Sequence, residues 1–348
     1  MGMLLIDSVY INQGGGLVLL KRILETLTPK QRSVSDLLLD QRVRDLFNDK
    51  SYFPSGLADF NSVEYLTGNY MGRWKWYLKN QRKYTTVFSL SNVPPPFGVK
   101  GQTIYTYCHQ LFMFDRSMLD ASMKFRQWIR TQVIKIHFRK SKSQVIVQTQ
   151  SMAQRFIDQW GFKNENVHQF PIFHLPNVPK VQTDKRTAIT CLTYIYDYKG
   201  HYDLLEAIAD LPETIQKRVQ LTLERDQLDA SKVDATVLNN ISFLGQMAHS
   251  DVMKEVANSA FVVHPSKAES FGLVLLECAS LQVPIVCPDL PYVSDVISGA
   301  YIYKNNDIES LLETINQVSA KEKREFPKAI IKDQTQELVQ FLLNDKIN

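Results

Sequence analysis

Short apolar runs alternate with helix-patterned segments along the chain, and this alternation constrains the fold more than any other feature of the sequence. Runs at 3–6, 87–90, 103–107, 144–148, 188–194, 219–223, 260–264 and 284–287 read as strands. Segments at 17–27, 152–160, 201–209, 250–258 and 272–279 read as helices. Parallel strands covered on both faces are apolar throughout, and each needs a helical crossover to reach its neighbour. The expectation is therefore an α/β fold with parallel sheets in both halves. At 348 residues the chain exceeds the roughly 250–300 residues at which a single core stops growing. Two domains are expected, at 1–175 and 183–325. A linker at 171–183 is marked by Pro171, Pro176 and Pro179. Residues 325–343 read as helix, within a tail at 326–348 that can cross back to the first domain.

No apolar stretch approaches the roughly 20 residues of a membrane-spanning helix. Residues 1–10 carry Asp7 and no basic lead, and read as a strand and not as a signal peptide. The cysteines at 108, 191, 278 and 287 form no C-x-x-C pair, so reduced thiols are expected and not a disulfide or zinc framework.

Charge is divided unevenly. Residues 1–180 hold 24 Lys and Arg against 12 Asp and Glu, and the remainder holds 16 against 24. Such asymmetry points the first half at a polyanion or an anionic membrane. The densest stretch, 116–142, contains Arg116, Lys124, Arg126, Arg130, Lys135, Arg139, Lys140 and Lys142 against the single acid Asp120. A helix would gather Phe125, Ile129, Val133 and Ile136 on one face. A second cluster, Arg73-Trp74-Lys75-Trp76-Tyr77-Leu78-Lys79, mixes cations with tryptophans. Basic residues with interfacial aromatics suit a membrane surface. A solvated face backed by a core face explains them equally well. Arg126, Arg130, Lys135 and Arg139 are the candidate membrane contacts, with Trp128 as anchor. No helix-turn-helix, RNP or zinc signature supports nucleic-acid binding.

The chemistry-bearing constellation is Pro265-Ser266-Lys267-Ala268-Glu269-Ser270-Phe271-Gly272-Leu273-Val274-Leu275-Leu276-Glu277. A strand ends in a loop with one carboxylate, Gly272 opens a helix, and a second carboxylate follows eight residues after the first. Unpaired N–H groups in the first helical turn can receive a phosphate. Glu277 could accept from a ribose diol, and Glu269 lies near whatever hangs off the phosphate. Spacing alone also allows a loop glutamate and a surface helix glutamate. Gly14-Gly15-Gly16 after the first strand reads as a glycine turn that admits close backbone approach. A dinucleotide fingerprint would need glycine at position 19, which is Leu.

These residues resemble the signature of retaining GT-B glycosyltransferases of glycosyltransferase family 4, in which two glutamates are separated by seven residues and Ser-Phe-Gly follows the first. The likeness extends over most of the chain. Ile241-Ser242-Phe243-Leu244-Gly245 is similar to the family's preceding strand–Gly element. Pro284–Val286 and Asp289-Leu290-Pro291 resemble its continuation, with Gln282 where Gly is usual. Tyr198-Lys199-Gly200-His201 resembles its Lys turn, and residues 145–152 resemble a block of bacterial O-antigen and capsule transferases.

The resemblance implies a GT-B fold, with two Rossmann-like domains facing a central cleft. It implies roles as well: Glu269 and His109 at the donor sugar; Ser270, Phe271, Gly272, Leu273 and Val274 at the diphosphate; Lys199 on phosphate; Glu277 on ribose; Gly15 and Gly16 in the N-terminal glycine loop. Thr193 stands where the family often has Arg, and a hydroxyl donates without neutralising charge. His249 and His264 read as structural. There is no Asp-x-Asp motif, so neither metal nor cofactor is expected. The implied reaction is retaining transfer from a nucleotide-sugar donor to a lipid-diphosphate-linked glycan acceptor in bacterial surface-polysaccharide assembly, by a cytoplasmic enzyme peripheral to the inner face of the cell membrane. The alternatives are a soluble transferase with a small acceptor, a non-catalytic nucleotide-sugar binder, and the dinucleotide oxidoreductase that Leu19 opposes.

Overall fold

The computed structural model describes residues 3–175, 186–193 and 196–344. Most of the expected linker and Tyr194, the last residue of the 188–194 run, lie outside the described residues. The chain divides into two compact units, Met1–His174 with Asp333–Asn348, and Leu175–Lys332.

The first unit is built on strands β1 (Leu4–Asp7), β2 (Ser35–Asp40), β3 (Ser62–Leu66), β4 (Thr86–Ser89), β5 (Thr103–Tyr107), β6 (Gln144–Val147) and β7 (Val167–Gln169). They form one parallel sheet in the order β3-β2-β1-β4-β5-β6-β7. Its longer helices are α1 (Gly14–Thr26), α2 (Tyr70–Asn80), α3 (Ala121–Ser141), α4 (Gln150–Trp160) and, from the far end of the chain, α9 (Thr335–Asn344). Leu338, Val339 and Leu342 of α9 complete the core around Leu20, Ile23 and Leu24 of α1. Arg22 on α1 meets Asp333 at 2.6 Å.

The three glycines are not a loop before the helix: α1 begins at Gly14. Gly14 takes φ +63°, and a Cβ on Gly16 would lie 2.9 Å from Ile11 Cδ1. The 325–343 segment is not helical throughout either. Lys328–Ala329 pairs as a short antiparallel strand, and the helix starts only at Thr335.

The Arg73–Lys79 cluster is split: Lys75, Leu78 and Lys79 are exposed, but Arg73, Trp76 and Tyr77 are interior. Arg73 is buried against Asp7, with Nη2 2.7 Å from Oδ2, and it donates to the Val93 and Pro94 carbonyls. Trp76 and Tyr77 are buried, and the Trp76 indole N–H donates to Glu64. This amphipathic cluster is read correctly only when Asp7, 66 residues earlier, is placed beside it. Helix α3, by contrast, turns the gathered apolar face outward. Asp120 caps its N-terminus, accepting from the Met123 N–H at 2.8 Å. Its inner side is Thr131, Ile134, His137, Phe138 and Ser141, whereas Phe125, Trp128, Ile129, Val133 and Ile136 are exposed.

The second unit contains β8 (Ala188–Cys191), β9 (Val219–Leu221), β10 (Ser242–Phe243), β11 (Ser259–Val263), β12 (Ile285–Pro288) and β14 (Tyr301–Tyr303) in a parallel sheet ordered β10-β9-β8-β11-β12-β14. β13 (Ile297–Ser298) pairs with β15 (Lys328–Ala329) apart from it. The longer helices are α5 (His201–Ala209), α6 (His249–Asn258), α7 (Leu273–Leu281) and α8 (Ile308–Ala320). The chain switches direction between β1 and β4 in one sheet and between β8 and β11 in the other. Ligands of open α/β sheets bind beyond the strand carboxyl ends at such points. All four cysteines are free and buried.

Candidate active site

In the second unit, the loops leaving β8 and β11 at the switch point are locked together by backbone contacts. Gly200 follows a single 3₁₀ turn with φ +70°, and a Cβ there would lie 2.3 Å from the Pro265 carbonyl oxygen. Only glycine fits both the angle and the approach. The Lys267 N–H donates to the Tyr198 carbonyl at 2.7 Å. Thr193 Oγ1 donates to the Lys199 carbonyl at 3.2 Å, so the Thr that replaces an expected Arg supports the Lys loop.

This packing brings Lys199 Nζ to 2.5 Å from Glu269 Oε1, which also accepts from Ser266 Oγ at 2.8 Å. Burial alone would raise the Glu269 carboxyl, but the Lys199 charge and hydrogen bond outweigh it and hold the pKa below the usual range. His264 lies on the same group, with Nε2 3.7 Å from Glu269 Oε1. Burial pushes His264 down to about 4, so the imidazole is neutral near pH 7. Its Nε2 is buried without a hydrogen-bond partner. Sequence reasoning missed His264; its one signal was its place at the end of a strand, immediately before the glutamate loop.

Gly272 takes φ +75° against the Tyr292 ring and admits the chain to α7. The Tyr292 hydroxyl donates to the Ser266 carbonyl at 2.9 Å, fixing the loop from behind. α7 therefore opens at Gly272 with the positive end of the helix beside the glutamate loop, where an anion can sit. Glu277, one turn further along, is buried, with Oε1 2.7 Å from His249 Nε2. That bond raises the pKa of His249. Both histidines read as structural in the sequence therefore touch the two glutamates.

In the first unit, His109 follows the carboxyl end of β5. Its backbone N–H donates to Asn92 Oδ1 at 2.6 Å, and its Nε2 lies 3.1 Å from Asn92 Nδ2. A Cβ on Gly16 would come within 3.4 Å of the same Nε2, so the glycine turn and the histidine share one corner, while Gly15 borders open space. Asn92 and Tyr10, just past β4 and β1, both hold positive φ, at 62° and 84°. Such strained residues cluster at functional sites. Burial pushes His109 down to about 4, which makes it a neutral hydrogen-bonding group and not a cation. Nothing in the sequence pointed to Asn92.

Residues 177–336 match the family model described as glycosyl transferases group 1. A stretch of 127 residues is 27% identical to the lipopolysaccharide glucosyltransferase WaaG of Escherichia coli K12. That alignment covers 34% of this chain and only 33% of the length of WaaG. Among solved structures, Anabaena HepE in complex with UDP and glucose superposes with a TM-score of 0.67 at 16% identity, over 99% of this chain and 97% of that one. The crystal structure of WaaG superposes at 0.58 and 13% identity, over 99% and 94%. The group 1 glycosyltransferase match thus covers residues 177–336, less than half of the chain, and the fold is that of the GT-B glycosyltransferases.

Proposed function

We propose that the chain, a glycosyltransferase by its group 1 domain and fold, moves a sugar from a nucleotide donor, with retention, to a lipid-diphosphate-linked glycan in bacterial surface-polysaccharide assembly. One observation carries the reading: the Lys199–Glu269 pair stands at the switch point of the second sheet, beside the helix that opens at Gly272. In this reading Glu277 accepts from ribose hydroxyls, with His249 fixing the carboxylate. The diphosphate rests on the N–H groups of Ser270 to Val274 and on Lys199. These groups stabilise the charge that grows on the leaving diphosphate, which is where preorganised donors accelerate a reaction. Glu269 is held ionised and oriented to accept from donor-sugar hydroxyls, and neutral His109 supplies a further sugar contact. With no Asp-x-Asp motif in the sequence, transfer is read as independent of metal and cofactor, on the donor's front face.

The lipid acceptor and the lipopolysaccharide setting are suggested by the WaaG relationship. They are supported by the outward apolar face of α3 and its flanking Arg126, Arg130, Lys135 and Arg139. No helix among the described residues is long and apolar enough to cross a membrane. The enzyme would work peripherally, at the cytoplasmic face. A thermal-shift panel of UDP, GDP, ADP and their sugars tests the donor site, since a ligand at 100 times its Kd stabilises by about 2.7 kcal/mol. Proton NMR of the first-formed product tests retention. No shift with any nucleotide overturns the donor assignment, and an inverted anomer overturns the front-face step. Transfer to water-soluble acceptors without vesicle affinity would favour the small-acceptor alternative.

A further inference from the structure

On the first unit, residues at the C-terminal ends of α3 and α4 line a recess of about 660 Å³. Lys135 and Arg139 reach it from α3, Lys142 from the residue that ends α3 in the left-handed conformation (φ +55°), and Lys163 from the turn before β7. Phe138, Trp160 and Phe162 form its apolar wall, with Phe138 and Phe162 edge to face at 5.3 Å. Lys135 Nζ is held 4.9 Å over the Trp160 ring. No carboxylate lines the recess; Glu165 meets Lys163 only at the exposed rim, 3.6 Å away. Burial, then the charges of Arg116 and Arg139, press the Lys135 pKa downward, as expected for cations crowded without a counter-ion. A helix C-terminus favours nearby cations and accounts for Arg139. It does not account for Lys163, which another element brings to the same space.

The recess also has a position. α3 ends just before β6 begins, and Lys163 stands just before β7, so it opens at the amino ends of the strands. His109 stands past the carboxyl end of β5, at the opposite edge of the same sheet. Within the first unit the recess is thus separate from the corner shared by Gly16, Asn92 and His109. Lys135 and Arg139 lie on the α3 flank beside exposed Trp128 and Ile136.

We infer that this recess binds the phosphomonoester headgroup of an anionic lipid and orients the first unit on the membrane while the α3 face inserts. The inference rests on the peripheral-membrane reading and adds to it a specific headgroup. Diffuse attraction senses only surface potential, whereas four cationic side chains lining one recess can distinguish a dianionic, three-oxygen phosphomonoester from a diester.

The test is flotation with phosphatidylcholine vesicles doped with either phosphatidic acid or phosphatidylglycerol, matched in surface potential. The expected result is binding about tenfold tighter to phosphatidic acid, or about 1.4 kcal/mol. Lys142→Gln/Lys163→Gln should abolish that preference while retaining phosphatidylglycerol binding and the wild-type melting temperature. Equal binding to both vesicles, or an undiminished preference in the variant, overturns the site and leaves the membrane reading standing. Binding to neither vesicle sinks the membrane reading itself. Calorimetry with dihexanoyl phosphatidic acid and with inorganic phosphate separates the sources. Equal affinity for both would make the recess a free-phosphate site and overturn the lipid assignment.

Discussion

Lys199 Nζ lies 2.5 Å from Glu269 Oε1, and the two residues reach each other from loops that leave adjacent parallel strands. Each side chain keeps about a fifth of its surface exposed. Lys199→Met should leave Glu269 desolvated and uncompensated, costing about 1–3 kcal/mol of stability, and should cut turnover by more than it weakens nucleotide binding. The Glu269 pKa is depressed in the fold. Its contribution is therefore present above the unfolded value near 4.5 and is lost as pH falls through the lower folded value. A thermal-melt series should show wild type and Glu269→Gln converging in acid below that range. A constant gap across the acid limb would refute the pairing.

Glu277 should separate nucleotide binding from chemistry. Glu277→Ala is expected to weaken free nucleoside diphosphate by about 1.5–3 kcal/mol, the range for charged hydrogen bonds; calorimetry showing equal affinity would remove it from the ribose. The His249 bond adds a pH signature of the opposite sign to that of Glu269. Its folded pKa is raised above 6.5 by Glu277. Its stabilisation is full below 6.5 and is lost as pH rises through the folded value. The melting gap between wild type and His249→Gln should accordingly be wider at about pH 6 than at about pH 8.5.

The first unit carries a buried ion pair that the proposed chemistry does not use. Asp7 Oδ2 accepts from Arg73 Nη2 at 2.7 Å and from the Tyr77 hydroxyl at 2.5 Å, with all three residues buried. Breaking such a pair from one side costs about 3–5 kcal/mol, because a charge is left without a partner. Arg73→Met or Asp7→Asn should each lower the melting temperature sharply. Arg73→Met/Asp7→Asn should cost less than the two single changes together. Additive losses would mean that the pair is not coupled.

Most of the strands could be anticipated because the runs at both switch points are apolar and lie between helix patterns. β2 was missed because Asp36 and Asp40 interrupt its pattern, although both are buried: Asp36 accepts from Tyr84 at 2.8 Å, and Asp40 pairs with Arg42. β3, at the sheet edge, is only half buried and carries Glu64. Glu269 and Glu277 were legible because their spacing is local, whereas Lys199, 70 residues before Glu269, stood out only through the resemblance of its turn. His264 and Asn92 were not, since their importance comes from what faces them through space. The two readings of the Arg73 cluster could not be separated for the same reason: its cationic neighbours are adjacent in sequence, but its partner Asp7 is not.

The exposed face of α3 yields the most direct test of the membrane reading. Phe125, Trp128, Ile129, Val133 and Ile136 are each between 37% and 63% exposed on one helix, an apolar patch of a kind that marks an interaction surface. Arg126 and Arg130 flank it on one side and Lys135 and Arg139 on the other, and each basic residue near an anionic leaflet contributes about 1 kcal/mol. The two kinds of side chain predict different salt responses, because ionic screening acts on charge and not on apolar burial. Reversing the charge of Arg126, Arg130, Lys135 and Arg139 should abolish co-sedimentation with anionic vesicles at low salt and leave nucleotide binding intact. Phe125→Ser/Ile129→Ser should leave initial association nearly unchanged but make the remaining binding far more salt-sensitive, since the apolar anchor has gone. Wild type that fails to pellet at low salt, or a charge-reversed variant that pellets equally well, would reduce the stripe to a solvated helix face and shift the acceptor toward a small soluble molecule.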